Sequence, residues 1–151
     1  MALTLQEISD RIEINDLLIR YTKSIDEKDW ALLDSCFTPD AELDYVSSGG
    51  IQGAYPEVRA WLEKALAAFP TTAHYVSNSE VQLDGDRASA RTAVYNPMFF
   101  PNPDGSQHHF AVGAYYVDEL VRTDAGWRIA RRREDQAFLE GSLPKALTIP
   151  Q

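Results

Sequence analysis

The sequence predicts an α+β fold, with helices packed on one face of an antiparallel sheet. Three observations lead there. Up to residue 70 apolar residues recur at helical spacing. Beyond it come strand-like runs broken by turn signals such as Asp84-Gly85. Helices gathered before strands is the order of an α+β chain, not the alternation of an α/β one. The chain of 151 residues fits one domain, residues 1–151, and shows no internal repeat, low-complexity segment or linker.

Each element has a local reason. Thr4 and Glu7 form a T-x-x-E capping box that opens a helix. Leu5, Ile8, Ile12, Ile14, Leu18, Tyr21 and Ile25 form its expected apolar stripe. "DEKD" interrupts the pattern, and "WALLDSCF" resumes it as a short second helix capped by Asp26 or Asp29. "TPDAELDYV" reads as a turn and then a strand, and "SSGGIQG" as a hairpin turn. In the third helix Pro56 occupies the first turn, where a missing amide costs nothing. Val58, Trp61, Leu62, Ala65, Leu66 and Phe69 face the core, and Pro70 ends the segment. "AHYVSNSEVQL" and "ASARTAVYNPMFF" flank Asp84-Gly85 as a hairpin, and "HHFAVGAYYVDELVR" and "WRIARRREDQAF" flank "TDAG" as a second one.

Composition excludes several functions. A net charge of −9 disfavours nucleic acid and anionic membrane surfaces, both of which need clustered Lys and Arg. Cys36 is the one cysteine, which rules out an internal disulfide and suits a reducing compartment. "MALTLQEISDRIEIN" has no apolar run of signal-peptide type, so a cytoplasmic protein is expected. Aromatics make up 11% of the chain, enough to line an apolar pocket as well as fill a core. Tyr45, Trp61, Phe69, Met98, Phe110 and Tyr115 are the expected lining, with Trp30 and Trp127 packing structurally. "AVGAYYV" is too apolar for both sheet faces to be wet, which predicts a homodimer or homotrimer through the outer face.

Three helices, a hairpin between the second and third, and four long antiparallel strands resemble the cone-shaped nuclear-transport-factor-2-like fold. "IRYTKSIDEKDWALLDSCFTPDAELDY", "AHYVSN" and "GWRIARRRED" resemble its SnoaL-like branch, which includes scytalone dehydratase, bile-acid 7α-dehydratase and hexachlorocyclohexane dehydrochlorinase. The resemblance spans roughly residues 5 to 140. It implies a strongly curved sheet around the helices, a deep pocket, and a cofactor-independent lyase acting on a small hydrophobic cyclic substrate. Such folds also serve as isomerases, cyclases and non-catalytic binding or oligomerisation modules.

The resemblance implies a histidine held by an aspartate, at the positions of His74 and Asp26. It adds Tyr21, five residues before the aspartate, and Arg132, five after Trp127. A second pocket histidine in scytalone dehydratase corresponds to His109. Where bile-acid dehydratase carries a further acid, this chain has Asn96 and Pro97, and the pocket acids of ketosteroid isomerase find no counterpart in the sequence.

Read from the residues, His74 is either a satisfied core histidine or a general base, Asp26 a helix cap or its partner, and Tyr21 one residue of an amphipathic stripe or a pocket donor. An imidazole titrates near neutral pH, and a carboxylate on one ring nitrogen fixes its tautomer and stabilises the imidazolium. Proton abstraction beside a leaving group would follow, with Tyr21 or Arg132 stabilising the departing charge. That chemistry requires neither metal nor organic cofactor.

Some of the geometry is open. Five residues turn a helix by about 140°, so Tyr21 and Asp26 share a face only if the helix loosens at Ser24 to Asp26. Strand alternation from Trp127 sends Arg131 and Arg133 inward, whereas the resemblance selects Arg132. His108 and His109, adjacent on a strand, cannot enter one pocket and make a weak metal site. Asn78, four after His74, is expected on the same strand face, where it would orient substrate or water.

Overall fold

The capping box forms. Thr4 Oγ1 accepts from the Glu7 N–H at 3.2 Å, and the Glu7 carboxylate accepts from the Thr4 N–H at 2.7 Å. In the computed structural model, which describes residues 2–143, this box starts helix α1, Leu5–Glu27. Lys28, at φ 55°, turns the chain out of it. Asp29, not Asp26, then caps α2, Trp30–Asp34, accepting from the Leu32 N–H at 2.9 Å.

The stripe of α1 needs correction. Leu5, Ile8 and Ile12 are exposed, and the buried face is Asp10, Ile14, Leu17, Leu18, Tyr21 and Ile25. A carboxylate sits in the interior row because it has partners there. Asp10 accepts two bonds from Arg122, at 2.6 and 2.8 Å, and one from Trp127 Nε1 at 3.1 Å.

Strand β1, Phe37–Asp44, already includes the "TPD" read as a turn, because pairing with the last strand holds it extended. A short 3-10 turn, Val46–Ser48, leads to β2, Gln52–Ala54, which pairs back on β1. Helix α3, Tyr55–Leu66, buries Val58, Leu62, Ala65 and Leu66, and Phe69 packs just beyond its end. The rest is sheet: β3, Thr71–Thr72; β4, Tyr75–Asp84; β5, Arg87–Pro101; β6, Gln107–Thr123; and β7, Gly126–Gly141.

The strands form one curled sheet in the order β2-β1-β7-β6-β5-β3, with β4 also paired to β5. All pairs are antiparallel except β1 with β7. Its concave face holds α1 and α3 over a core of Ile14, Leu17, Leu33, Phe37, Val58, Leu120, Trp127 and Ile129. Among the described residues no helix is long and apolar enough to cross a membrane.

Three register breaks, one on β4 and two on β7, decide which side chains face inward there, and β1 shifts register against β7 between Phe37 and Glu42. Ser77 pairs with Ala93 and Ser79 with Thr92, so Asn78 is an extra residue in β4. On β7, Ile129 pairs with Leu120 and Arg131 with Glu119, which makes Ala130 extra; Ala137 is extra in the same way. Each bulge reverses the alternation beyond it.

Candidate functional site

The last turn of α1 delivers Asp26 to the junction of β3 and β4. There the Asp26 carboxylate takes three hydrogen bonds. His74 Nδ1 lies 2.6 Å from Oδ1, the His74 backbone N–H donates to Oδ2 at 2.8 Å, and Thr72 Oγ1 donates to Oδ1 at 2.9 Å. Burial would raise the Asp26 pKa, but hydrogen bonds and charge from His74 outweigh it and hold the group below its ordinary value. Asp26 is therefore a carboxylate. Bonded to Nδ1, Asp26 leaves the other ring nitrogen, Nε2, unengaged, and His74 lines the cavity.

Helix α1 does not loosen at Ser24 to Asp26; it runs regularly to Glu27. Tyr21 and Asp26 need not share a face, because Tyr21 lines the cavity directly while Asp26 sits behind His74. The imidazole closes the gap between the two.

The cavity has a volume of about 260 Å³. Five of the six predicted lining residues surround it: Tyr45, Trp61, Phe69, Met98 and Phe110. Ile25, Leu62, Leu66, Val112 and Leu139 complete its apolar walls. That size lies just below the usual ~300–1,000 Å³ of ligand sites and suits one or two rings.

Three expected members are elsewhere. Tyr115 faces out of the sheet, its ring 3.6 Å beneath the Arg91 guanidinium. Phe110 faces inward, so Tyr115, five positions along an unbroken stretch of strand, must face the opposite way; Tyr116 takes the inner place. His109 is exposed by the same alternation and stacks on Phe99 with ring centroids 4.8 Å apart. Asn78 is exposed because it is the bulged residue of β4, so the spacing of four from His74 no longer holds a common face. Trp127 packs in the core, and Trp30 against its edge, as expected.

The arginine question is settled by the bulge at Ala130. Arg132 points inward and is fully buried, while Arg131 and Arg133 are exposed. Arg132 does not line the cavity, however. It forms a two-point ion pair with Asp118, both bonds 2.7 Å, and its guanidinium lies 4.1 and 4.0 Å from the ring centres of Tyr21 and Tyr116. Burial opposes its charge, but Asp118 outweighs that and raises its pKa above the ordinary value. Any effect of Arg132 on a substrate is indirect, through those phenols and the nearby Glu134.

Burial raises the pKa values of Tyr21, Tyr45 and Tyr116, so all three phenols are neutral at pH 7. The Tyr21 and Tyr45 hydroxyls share one hydrogen bond of 3.0 Å.

Sequence reasoning missed Glu134, two residues past Arg132 on the same inner face of β7. It lines the cavity with His74, so the pocket does contain a second acid. Burial raises its carboxyl above the ordinary range, against smaller opposing effects of Ser48, His74 and Arg132. Ser48 Oγ donates to Oε1 at 2.8 Å, and Ser47 Oγ ties the 3-10 turn to the Glu134 carbonyl. Asn96 also lines the cavity, with Oδ1 buried and receiving no hydrogen bond among the described residues. The bulge at Ala130 hid Glu134, since simple alternation places it outside.

A second depression, about 500 Å³, lies on the outer face. Glu42, Asp44, Glu119, Arg131 and Arg133 line it, and it contains neither member of the dyad. Among the described residues no group of three or more His, Cys, Asp and Glu is arranged to hold a metal ion.

Known proteins share this architecture. A protein from Mycobacterium tuberculosis, itself uncharacterized, is 47% identical over 136 residues, covering 90% of this chain and 91% of its own. The crystal structure of a scytalone-dehydratase-like protein from Novosphingobium aromaticivorans superposes with a TM-score of 0.80 at 18% identity, covering 92% of this chain and 91% of that one. A hexachlorocyclohexane dehydrochlorinase from Novosphingobium barchaimii gives 0.74 at 20%, covering 97% and 99%. At these identities the two structures share the cone-shaped nuclear-transport-factor-2-like fold with this chain. The SnoaL-like domain profile matches residues 6–133, and with it the chain is a member of the SnoaL-like family.

Proposed function

We propose that this protein is a cofactor-independent lyase that eliminates a leaving group from a small, largely apolar cyclic substrate, with His74 as the base and Asp26 as its orienting partner. The observation that carries the reading is the 2.6 Å contact between His74 Nδ1 and Asp26 Oδ1 at the wall of an apolar cavity. A buried structural histidine would need no cavity; a general base needs one ring nitrogen held and the other open to substrate.

The chemistry follows from strength. An imidazole is a weak base, with an ordinary pKa of ~6.5. It removes a carbon-bound proton most readily where a neighbouring electron-withdrawing group, such as a carbonyl, acidifies it. Tyr21 and Tyr45 line the cavity and share one hydrogen bond, so one of the two neutral phenols keeps its O–H for that carbonyl oxygen, where negative charge develops. Asp26 stabilises the imidazolium as it forms. Trp61, Phe69, Met98 and Phe110 exclude water and hold the ring of the substrate.

Glu134 gives an isomerase reading a specific footing, since an acid and a base in one pocket also move a proton between two carbons. Product analysis separates the two: elimination releases the leaving group, and isomerisation releases nothing.

A thermal-shift screen of one- and two-ring cyclic ketones and hydroxylated aromatics tests the proposal. A ligand present at 100 times its Kd adds ~2.7 kcal/mol of apparent stability. The expected result is a stabilising ketone that the protein converts, and that Asp26→Asn converts ~10⁴-fold more slowly, as loss of an orienting carboxylate does elsewhere. Asp26→Asn with wild-type turnover of that ketone would refute the dyad.

A further inference from the structure

We propose that Glu134 is the general acid of this pocket and that the group it serves is a hydroxyl β to the substrate carbonyl. The proposal rests on the elimination reading and narrows it, from any leaving group to water.

Two separate observations point to oxygen. First, the cavity holds an acid as well as a base. Glu134 lines the same walls as His74, with Oε1 occupied by Ser48 Oγ at 2.8 Å, which leaves Oε2 for a ligand. A halide, the anion of a strong acid, departs without a proton. Hydroxide is a far poorer leaving group, because its conjugate acid, water, is so weak an acid, and proton donation speeds its departure. A carboxyl able to donate a proton contributes little in the first case and much in the second. Second, Asn96 lines the cavity, and its Oδ1 is buried with no donor among the described residues. Such an acceptor costs stability until something donates to it. A substrate O–H donates; a carbon-bound halogen cannot.

The step balances without a co-reactant. His74 Nε2 takes the proton from the carbon next to the carbonyl. The electrons of that C–H bond become the new C=C bond, and the C–O bond to the β-hydroxyl breaks. Glu134 passes its proton to the departing oxygen, which leaves as water. The enzyme is left as imidazolium and carboxylate, and the proton returns from His74 to Glu134 through solvent.

The polar and charged groups around Glu134 are Ser48 on the 3-10 turn, His74 before β4, Arg132 on its own strand, and the phenols of Tyr21, Tyr45 and Tyr116. Burial leads these effects and keeps the carboxyl above its ordinary value.

Two measurements on the intact protein decide the matter. Elimination is followed with 3-hydroxycyclohexanone and with 3-chlorocyclohexanone, the uncatalysed rate subtracted, in wild type and Glu134→Gln. Glutamine keeps the shape and still accepts from Ser48 but has no acidic proton. The expected loss with the hydroxy ketone is ~10²–10⁴-fold, the usual worth of a general acid, and at least about tenfold larger than the loss with the chloro ketone. Equal losses with both probes would make Glu134 structural and overturn the proposal while leaving the elimination reading intact. Wild type that eliminates from neither probe would contradict the substrate class itself. Independently of turnover, the infrared carboxyl band that disappears in Glu134→Gln is expected to titrate above the ordinary glutamate value of about 4.3. A midpoint at or below that value removes the acid and overturns the proposal.

Discussion

At the scale of single residues, Arg132 shows how a buried charge is held. It is fully buried, bonded twice to Asp118 and flanked by two aromatic rings. Breaking such a pair strands the survivor in a low-dielectric interior. Asp118→Ala is therefore expected to cost ~3–5 kcal/mol in urea unfolding, whereas the double change Arg132→Met with Asp118→Leu should be near neutral. A double variant as unstable as the single one would contradict this account. Asp10 makes a different prediction. Hydrogen bonds from Arg122, then from Trp127 and Gln6, overcome burial and bring its pKa down to about 2. Its pKa is depressed on folding, so its contribution is complete above the unfolded value of about 3.9 and fades as pH falls toward about 2. Melting temperatures of Asp10→Asn should start lower than wild type at pH 6 and fall less steeply between pH 4 and pH 2. Parallel curves would contradict the linkage.

Among the elements, β7 determines what the pocket contains. The bulge at Ala130 turns Arg132, Glu134 and Gln136 inward and leaves Arg131 and Arg133 outside. Deleting Ala130 would restore simple alternation, pull Arg132 from Asp118 and bury its neighbours. We expect a loss of at least ~3–5 kcal/mol, from the stranded Asp118 alone, read as lost cooperativity in thermal unfolding. A deletion variant with a wild-type melting curve would contradict the register. The same bulges explain how much could be read from the sequence. Caps, turns and hydrophobic spacing located every helix and long strand, because those signals are local. The pairing of Asp26 with His74 came from the family resemblance, because the residues alone left His74 as either a satisfied core histidine or a base. Facing within a strand is legible only while alternation is unbroken. Tyr115 was misplaced although parity with Phe110 excluded it, whereas Asn78 and Glu134 were beyond reach because bulges carry no clear sequence signal. On α1, Asp10 broke the apolar row, and its partners Arg122 and Trp127 lie more than a hundred residues away.

For the whole molecule, two apolar surfaces remain outside the core. The outer sheet face exposes Tyr75 at 62% and Phe138 at 52%, with Phe99 stacked on His109 nearby. Leu5, Ile8, Ile12 and Ile19 form an exposed stripe along α1. With a net charge of −9 opposing nonspecific association, a defined homodimer or homotrimer is expected, through the sheet face. Sedimentation of a monomer at micromolar concentration would contradict self-association, and Phe138→Glu leaving the oligomer intact would contradict the sheet face. Helices α1 and α3, the 3-10 turn and strands β5, β6 and β7 all contribute to the pocket. The most direct test of the account is turnover of 3-hydroxycyclohexanone by His74→Ala, with the melting temperature recorded on the same sample. The account predicts a folded protein whose melting temperature stays close to wild type and whose elimination rate falls to the uncatalysed level. A folded His74→Ala protein with wild-type turnover would contradict it.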